Sequence, residues 1–350
     1  MPKRTKFKSG SEEKILPIGK LRMDLLENLL EKYCLHDERL VVAPRVGEDA
    51  AAIDFFDRYV VVKTDPITFA TDAIGWYVIQ VNANDLATMG ARPKWFLVTV
   101  LLPEGKTTFS KVEEIFSSIA RAAEPLGIVI AGGHTEVTAG LERPIVVGQM
   151  LGEVKKDKLI LTSGARPGDD LLLTKGLAIE ATSIIAREKE EELKKRYSED
   201  FISRCKNFLY SPGISIVKEA LLANENVTVH SMHDPTEGGL ASGIYEIAHA
   251  AKVGVWVEWG NINIFPETEI LCRHFGLDPL GIIASGALLL TAPPEESKKV
   301  IPILKKEGIE CQRIGEIKDA STGIKLITED SIKDFSFFDQ DEITKVFRKN

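Results

Sequence analysis

The chain has 350 residues, of which 44% are hydrophobic and 27% charged, and its formal net charge is −8 at pH 7. Such a composition is typical of globular proteins, and the length is enough for about two domains with separate cores. The negative charge argues against broad nucleic-acid binding, and no apolar run reaches membrane-spanning length. Because the N-terminal residues also lack the apolar segment of a signal peptide, we expect a cytoplasmic protein that binds neither nucleic acid nor a membrane.

The cysteines predict neither a disulfide framework nor a zinc site. Cys34, Cys205, Cys272 and Cys311 are far apart in the sequence, without the paired spacing of metal-binding or redox motifs. We expect each of them to be a reduced, structural residue.

The start of the chain offers one basic candidate. Residues 1–14 include the run MPKRTKFK, which we interpret as a flexible tail. Gly19 and Lys20 then precede a predicted helix, so the Lys20 ammonium and free backbone N–H groups could lie near a phosphate. The spacing is not that of a Walker A loop, and an ordinary surface lysine is an equally good interpretation of Lys20.

Two carboxylates follow in the next part of the chain. Asp49 belongs to RVGEDAAAI at 45–53, where a loop with one glycine and two acids leads into small apolar residues. Residues 59–64 are apolar and β-branched enough for a buried strand, which places Asp65 at the C-terminal end of that strand. Ligands collect at this edge of α/β sheets.

The segment at 71–92, TDAIGWYVIQVNANDLATMGAR, predicts the helix around which the first half is organised. Asp72 can cap its start, Gly90 can end it, and Pro93 prevents its continuation. The apolar positions that predict a buried stripe are Ile74, Val78, Val81, Leu86 and Met89.

Polar residues interrupt this apolar helix. Asn82 and Asp85 are three residues apart, so they share a helix face and can present an amide and a carboxylate to one point, with Asn84 beside them. A polar face turned to solvent is the alternative. Carboxylates from a loop (Asp49), a strand end (Asp65) and this helix are the oxygen ligands that Mg²⁺ with a nucleotide phosphate needs.

A glycine pair marks a second candidate region. The predicted elements around it are a strand at 95–102, a helix at 109–126 and strands at 127–131 and 144–154. Gly132 and Gly133 begin a loop in which the backbone can approach a ligand, and Thr135 and Glu136 add a hydroxyl and a carboxylate. His134 is either a general base or a histidine that is hydrogen-bonded within the loop.

The second half begins after the polar run at 155–158. Its predicted elements are strands at 171–174, 286–291 and 311–317, and helices from about 178, from 211 and over 294–307. In HDPTEGGL at 233–240, Asp234 and Thr236 form a turn, and Gly238 opens a helix whose N–H groups could meet an anion. A simple helix start is the alternative.

Taken in order, these motifs resemble those of the AIR synthase-like (PurM-like) ATP-binding superfamily. The motifs are VGEDAAAI, VVKTDP, VNANDLATMGARP, AGGHTE, PGDDLLLTKG, HDPTEGGL and a closing GEI. They span roughly residues 15–320, and the series is far more specific than any single motif.

The resemblance implies an α/β fold of two domains. The implied units are a flexible tail at 1–14, an ATP-binding and dimerisation domain at 15–156, a C-terminal α/β sandwich domain at 157–340 and a tail at 341–350. The N-terminal domains of two copies would close a β-barrel, and ATP with Mg²⁺ would lie in the groove between the two domains. We therefore expect a homodimer.

The residue patterns and the resemblance together give an expected role for each candidate residue. The expected metal ligands are Asp49, Asp65, Asp85 and Glu136, and the expected catalytic residues are Asp85, His134 and Asp234. The expected nucleotide-binding residues are Lys20, Asn82, Asn84, Gly132, Gly133, Thr135, Thr236 and Gly238. The shared chemistry is attack by a substrate oxygen on the γ-phosphate of ATP, which needs charge neutralisation and positioning more than a covalent nucleophile.

Within the superfamily, the DPT-x-GG pattern at 234–239 and the overall length are most similar to the hydrogenase-maturation protein HypE. HypE carries a carbamoyl group on a C-terminal cysteine, whereas this sequence ends VFRKN, and Glu237 stands where HypE usually has arginine. We expect a HypE-like protein that uses ATP to activate an oxygen nucleophile on a small molecule or a protein. A maturation-factor protein is a further candidate partner.

Two alternatives stay open. The segment NANDLATMGARP at 82–93 resembles thiamine-monophosphate kinase, although His134 stands where the kinase loop usually has aspartate. Selenophosphate synthetase shares the GGHT loop, but no reactive cysteine precedes Cys34, and the glycine-rich signatures of AIR synthase itself are not evident. The second alternative is a non-catalytic maturation or regulatory subunit that binds ATP.

Overall fold

The structure is a computed structural model, and it describes residues 21, 23–34, 37–68 and 72–347. Lys20 and the predicted tail at 1–14 lie outside the described residues. In the first half, the elements are α1 (Met23–Tyr33), β1 (Leu40–Val42), β2 (Ala51–Phe55), β3 (Arg58–Ile67), α2 (Ile74–Thr88), β4 (Arg92–Pro103), α3 (Phe109–Ala123), β5 (Val129–Thr138) and β6 (Ile145–Lys155).

The second half contains more helices. Its elements are β7 (Asp170–Thr174), α4 (Ile179–Glu188), α5 (Glu190–Leu193), α6 (Glu199–Asn207), α7 (Val217–Asn226), β8 (Ser231–His233), α8 (Gly239–Ala251), β9 (Gly254–Glu258), α9 (Pro266–Phe275), β10 (Leu289–Ala292), α10 (Pro294–Lys306), β11 (Cys311–Lys318), β12 (Ile324–Ile327), β13 (Ile332–Asp334) and α11 (Thr344–Phe347). In the described part of the chain, no helix combines the length and the apolar character that a bilayer crossing requires.

Two separate sheets give a mixed α/β fold, as the sequence predicts. The first sheet has the strand order β1-β2-β3-β6-β4-β5 and is antiparallel except where β4 pairs with β5. The second has the order β13-β12-β9-β11-β7-β10-β8 and is antiparallel except where β12 pairs with β9. Both sheets are open in the single chain, so the barrel that we expect for two copies is not formed within one.

Alternation along the long strands of the first sheet explains how α2 is covered. On β4, every second side chain from Phe96 to Leu102 is buried, and Val146, Met150 and Val154 of β6 follow the same period. This apolar face packs against α2, which also contacts α3 and, from the second half, α7 and β8. The helix therefore lies between the two sheets and is buried on nearly its whole circumference.

The observed start of α2 corrects two details of the sequence interpretation. The helix begins at Ile74, and Ala73, in the left-handed conformation with φ 55°, occupies the capping position. Asp72 does not cap the helix, because its carboxylate pairs with the guanidinium of Arg187. The alternative of a polar face turned to solvent is wrong, since the polar residues of α2 are buried together with its apolar ones.

Three further segments differ from the predictions. Residues 132–136 continue the strand β5 instead of forming a loop. A helix does not start at 211–213, because Ser211 is extended with φ −147° and ψ 113°, and the next helix, α7, begins at Val217. Residues 341–347 of the predicted tail pack against the second half, and Ile343 and Val346 are buried.

Candidate functional site

The acidic loop at 45–49 is fixed to the second half of the chain. Both carboxylate oxygens of Glu48 accept backbone N–H groups, from Thr162 at 3.0 Å and from Ser163 at 3.1 Å. Gly47 lies so close to α8 that a Cβ atom there would stand 3.0 Å from the Cβ of Ala250. These contacts position the next residue, Asp49, beside the second sheet.

Asp49 meets a buried histidine at the end of β8. The ring of His233 lies between two carboxylates, with Nδ1 2.7 Å from Asp49 Oδ1 and Nε2 2.6 Å from Glu246 Oε2. Burial opposes the charged form of the ring, but the two carboxylates outweigh it and raise the pKa of His233 well above its ordinary value. These two short contacts fix His233 beside Asp49.

The end of β3 is held by a side chain of α2. Asn82 is fully buried, and its Oδ1 accepts the backbone N–H of Asp65 at 2.9 Å. Its Nδ2 donates to the carbonyls of Val78 at 2.8 Å and of Asp65 at 3.3 Å. Both polar atoms of the amide thus hydrogen-bond to the backbone, and these bonds fix the position of Asp65.

Asp85 of α2 faces a lysine from β3. The ammonium of Lys63 is 2.9 Å from Asp85 Oδ2 and 3.4 Å from Asp65 Oδ2. Burial raises the pKa of Asp85 well above its ordinary value, and the negative charges of Asp234, Asp65 and Asp49 add to this effect, while Lys63 opposes it. Burial also works against the charge of Lys63, yet Asp85 and Asp65 raise the pKa of its ammonium.

Asp234 completes the group from the turn between β8 and α8. It is buried, and neither of its carboxylate oxygens receives a hydrogen bond from a donor of the described residues. Burial, with the nearby charge of Asp49, raises the pKa of Asp234 to about 7. Asp85 and Asp234 are neighbours, and two carboxyl groups can hydrogen-bond to each other only when they share a proton.

Asp49, Asp65, Asp85 and Asp234 are named here the acidic cluster. They come from a loop, a strand, a helix and a turn, and they join the two halves of the chain. Asp85 and Asp234 are buried, whereas the Asp65 side chain is 32% exposed and forms the solvent side of the cluster. The cluster therefore has a buried end and an open end.

The donor chemistry of the acidic cluster fits an oxygen-preferring cation such as Mg²⁺. Buried oxygens of Asp49 and Asp234 have no hydrogen-bond partner among the described residues, whereas Asp85 Oδ2 is paired with Lys63. In the arrangement observed over 37–68 and 72–347, however, no three His, Cys, Asp or Glu side chains stand close enough together to hold a metal ion. The Lys63 ammonium lies 2.9 Å from Asp85 Oδ2 and 3.4 Å from Asp65 Oδ2.

Asn84, the other predicted amide, links the two halves. Its Nδ2 donates to the carbonyl of Ile214 at 2.8 Å, and its Oδ1 accepts the N–H of Ile216 at 2.9 Å. Both partners precede α7, and Asn84 is fully buried. In this structure its amide fixes the second half against α2.

The glycine-rich candidates lie elsewhere in the first sheet. Register pairs Asp65 with Gly148, Gly148 with Val98 and Val98 with Gly133. Gly133 is therefore three strands away from Asp65, a separation of about 14 Å. A Cβ at Gly133 would lie 2.0 Å from the Val98 carbonyl oxygen, so this glycine is needed for the approach of β5 to β4.

The polar candidates on β5 are exposed. Nε2 of His134 lies 3.0 Å from Glu136 Oε2, and their side chains are 65% and 48% exposed. Thr135 and Gly132 are also on the exposed surface of this edge strand. Within one chain, the structure does not bring residues 132–136 to the acidic cluster.

The predicted anion site at the start of α8 is occupied by a carboxylate side chain of the protein itself. The N–H of Gly238 donates to Asp341 Oδ2 at 2.6 Å, and the N–H of Ile343 donates to Asp341 Oδ1 at 2.8 Å. The carbonyl of Thr236 accepts the N–H groups of Gly239 and Ala284. Thr236 and Gly238 thus belong to a turn that the C-terminal segment covers.

Two residues of the site were missed by sequence reasoning, and both had a detectable signal. Lys63 is two residues before Asp65 in a strand, so the two side chains share one face of β3. His233 directly precedes Asp234 in HDPT. In both cases the signal in the sequence is a basic residue within two positions of a candidate carboxylate.

Comparison with protein families matches both halves of the chain. Residues 47–154 match the N-terminal domain of AIR synthase related protein, and residues 166–326 match its C-terminal domain. The two matches include every residue of the acidic cluster.

Curated relatives match over most of their length. A hydrogenase expression/formation protein of Methanocaldococcus jannaschii is 27% identical over 321 residues, which cover 89% of this chain and 91% of the relative. A carbamoyl dehydratase HypE of Rhodobacter capsulatus is 27% identical over 294 residues, which cover 82% of each chain.

Solved structures share the fold at lower identity. The HypE–HypF complex matches with a TM-score of 0.74 at 19% identity, covering 90% of this chain and 99% of that chain. HypE in complex with ATP matches with a TM-score of 0.70 at 23% identity, covering 84% and 89%. AaThiL complexed with AMPPCP and TMP matches with a TM-score of 0.69 at 20% identity, covering 90% and 93%.

Proposed function

Because the chain belongs to the AIR synthase related protein family, we propose that it binds ATP with Mg²⁺ at the acidic cluster and uses the γ-phosphate to activate an oxygen nucleophile. One observation carries this proposal: carboxylates from four elements of both halves lie near enough to influence one another, and buried oxygens of Asp49 and Asp234 lack a hydrogen-bond donor among the described residues. A HypE and a ThiL of the same fold were solved with ATP and with AMPPCP, which supports a nucleotide as the ligand.

Asp49, Asp65 and Asp85 would hold the metal ion, which supplies charge neutralisation for the phosphates when bound. The residues around them position these three carboxylates. His233 holds Asp49 at 2.7 Å, and Asn82 holds the backbone of Asp65 at 2.9 Å. The open end of the cluster at Asp65 is where the phosphates would enter, because Asp85 and Asp234 are buried behind it.

The reaction would proceed by in-line displacement at the γ-phosphorus. A new bond forms between the substrate oxygen and phosphorus while the bond to the bridging oxygen breaks, and ADP leaves. The proton of the substrate oxygen would pass to an unprotonated carboxylate oxygen of the acidic cluster. Positioning and charge neutralisation carry such a reaction, and no covalent enzyme intermediate is required.

The substrate class and the partners are inferred from the relatives. Relatives named carbamoyl dehydratase HypE favour a carboxamide oxygen on a small molecule or a protein, and the HypE–HypF complex favours a maturation-factor protein as a partner. The AaThiL complex with TMP supports a small-molecule kinase as the second candidate. A non-catalytic ATP-binding subunit is the third, because a lysine already neutralises part of the acidic cluster.

We further propose that two copies associate through β5 in the cytoplasm. This strand is an edge of the first sheet, and its apolar side chains Val129 and Val137 are 59% and 56% exposed. An exposed apolar edge strand is a template for pairing with another strand. A second copy of this chain offers the same edge and can close the sheets into the expected barrel.

ADP formation tests the catalytic proposal. Purified protein would be incubated with MgATP and a panel of hydroxyl and carboxamide compounds, beside the variants Asp85→Asn and Asp54→Asn. Asp54 pairs with Lys156 on the surface and serves as a charge-matched control. We expect one compound to stimulate ADP formation in the wild type and in Asp54→Asn but not in Asp85→Asn. Saturable ATP binding without turnover across the panel would favour the non-catalytic candidate.

A further inference from the structure

The ammonium of Lys63 lies beside the carboxylates that we propose as metal ligands, where a bound metal ion would otherwise lie. It lies on β3 two residues before Asp65, and its ammonium is within 2.9 Å of Asp85 Oδ2 and 3.4 Å of Asp65 Oδ2. Its side chain is 24% exposed, and the two ion pairs direct its charged end into the acidic cluster.

A second buried lysine shows what a purely structural ion pair looks like in this protein. Lys175 is 2.8 Å from Glu219, and its ammonium also donates to the carbonyls of Gly213 at 3.2 Å and Ser215 at 2.6 Å. One carboxylate and two carbonyls therefore surround it. The ion pairs of Lys63 are instead with carboxylates from two different elements, both of which are candidate metal ligands.

The negative charge of the acidic cluster explains why a positively charged side chain lies within it. Burying several carboxylates together is unfavourable unless positive charge accompanies them. The Lys63 ammonium lies between Asp65 and Asp85 and supplies such a charge. Within the described ranges, no three acidic, histidine or cysteine side chains form an arrangement that could hold a metal ion.

We propose that Lys63 is the resident cation of the acidic cluster: its ammonium takes the place of one divalent ion at Asp85 and Asp65, so that the protein without nucleotide binds free divalent ions only weakly. The functional meaning of this inference rests on the proposed function, because metal binding would then depend on the nucleotide. The inference itself concerns only the binding of a divalent ion to the protein. An ammonium and a divalent ion cannot occupy the same oxygens, so removing the first exposes a site for the second.

The test measures Mn²⁺ binding to the full chain without nucleotide, by electron paramagnetic resonance of the free ion. Lys63→Met removes the ammonium and keeps an unbranched side chain. Lys156→Met is the matched control, because Lys156 pairs with both oxygens of Asp54 at 2.8 and 2.7 Å on the surface and the net charge changes equally. We expect Lys63→Met to bind Mn²⁺ at least about tenfold more tightly than wild type, and Lys156→Met to be within about twofold of it.

A double variant locates the gained site. Lys63→Met combined with Asp85→Asn should lose the tighter binding, because Asp85 is the nearest ligand freed by the substitution. Thermal unfolding of each variant checks that it is folded, and Lys63→Gln provides a second neutral side chain if the methionine variant is unstable. Equal or weaker Mn²⁺ binding in folded Lys63→Met or Lys63→Gln would overturn the proposal. Since no nucleotide is present, this outcome is independent of whether the protein binds ATP.

Discussion

The side-chain amide of Asn82 holds the backbone of Asp65 on both sides: Oδ1 accepts its N–H at 2.9 Å and Nδ2 donates to its carbonyl at 3.3 Å. Space for this contact comes from Gly148, where a Cβ atom would lie 2.5 Å from Asn82 Nδ2. The motif VNANDLATMGARP and the strand that ends at Asp65 are therefore coupled through one side chain. The position of a candidate metal ligand depends on a residue that need not touch the metal.

Replacing Asn82 with alanine should both destabilise the fold and displace Asp65. The change leaves the buried N–H of Asp65 without its partner, which we expect to cost about 2–3 kcal/mol of unfolding free energy. Urea unfolding measures this cost. Asn226→Ala is the control, because Asn226 donates to Leu222 in an exposed hydrogen bond at a helix end, and its cost should stay below about 0.5 kcal/mol. Equal stability losses in the two variants would contradict the assignment.

Asn84 offers a separate test of how the halves are joined. Asn84→Ala removes the hydrogen bonds to Ile214 and Ile216, both of which cross from α2 to the second half. We expect the Ile216 amide to exchange with solvent faster in the variant, with little change at amides in the centre of β6. Hydrogen exchange followed by mass spectrometry or NMR reads both regions. Unchanged exchange at Ile216 would show that other contacts hold the two halves together.

A buried glutamate makes the stability of the protein depend on pH. Burial raises the pKa of Glu180 to about 7 from its ordinary value of 4.5, and its Oε2 has no hydrogen-bond partner among the described residues. Between pH 4.5 and about 7, Glu180 keeps its proton in the folded state and releases it in the unfolded state. The stability that the protonated Glu180 provides is therefore complete below pH 4.5 and is lost as the pH rises through about 7. Wild-type stability should fall across this range.

Glu180→Gln removes this titration and keeps the shape of the side chain. At pH 8 the variant should be more stable than wild type by about 2–3 kcal/mol, and at pH 4 the difference should vanish. Urea unfolding at the two pH values provides the measurement. Exposed Glu225, paired with Arg92, gives the control Glu225→Gln, which should not shift the profile. A variant no more stable than wild type at pH 8 would contradict the buried, protonated state of Glu180.

The proposed dimer predicts a specific sensitivity along β5. Val137→Lys places a charge on the exposed edge strand, and it should convert a dimer to a monomer in sedimentation equilibrium. Ile332→Lys is the matched control, because Ile332 is 59% exposed on β13, the edge strand of the other sheet. A wild-type monomer, or a Val137→Lys dimer as tight as wild type, would contradict association through β5.

The sequence was sufficient for the fold class and for most elements, because periodicity and turn residues reflect local physics. The strand at β4 and the helices α3 and α10 have clear periods, and they occur within a few residues of the predicted positions. The loop predicted at 132–136 failed because glycine pairs are typical of turns. Here Gly133 is required inside a strand by its contact with the Val98 carbonyl, which is a tertiary constraint that no local pattern contains.

The acidic cluster was predictable in its carboxylates but not in its cations. Asp49, Asp65 and Asp85 occur in motifs, and the structure brings them together with Asp234. Asn82 and Asn84 hydrogen-bond to backbone groups that are distant in the sequence, so spacing alone left open whether these amides face a ligand or solvent. Lys63 and His233 are similar, because each contacts a carboxylate from another element of the chain.

The central claim is tested most directly by calorimetric titration of the wild-type protein and of Asp85→Asn with MgATP and a non-hydrolysable analogue. The account predicts saturable binding of about one nucleotide per chain to wild type, and affinity at least about tenfold weaker for folded Asp85→Asn. Asp54→Asn should bind like wild type. No binding by the folded wild-type protein, or wild-type affinity in Asp85→Asn, would contradict the assignment of the acidic cluster as the nucleotide site.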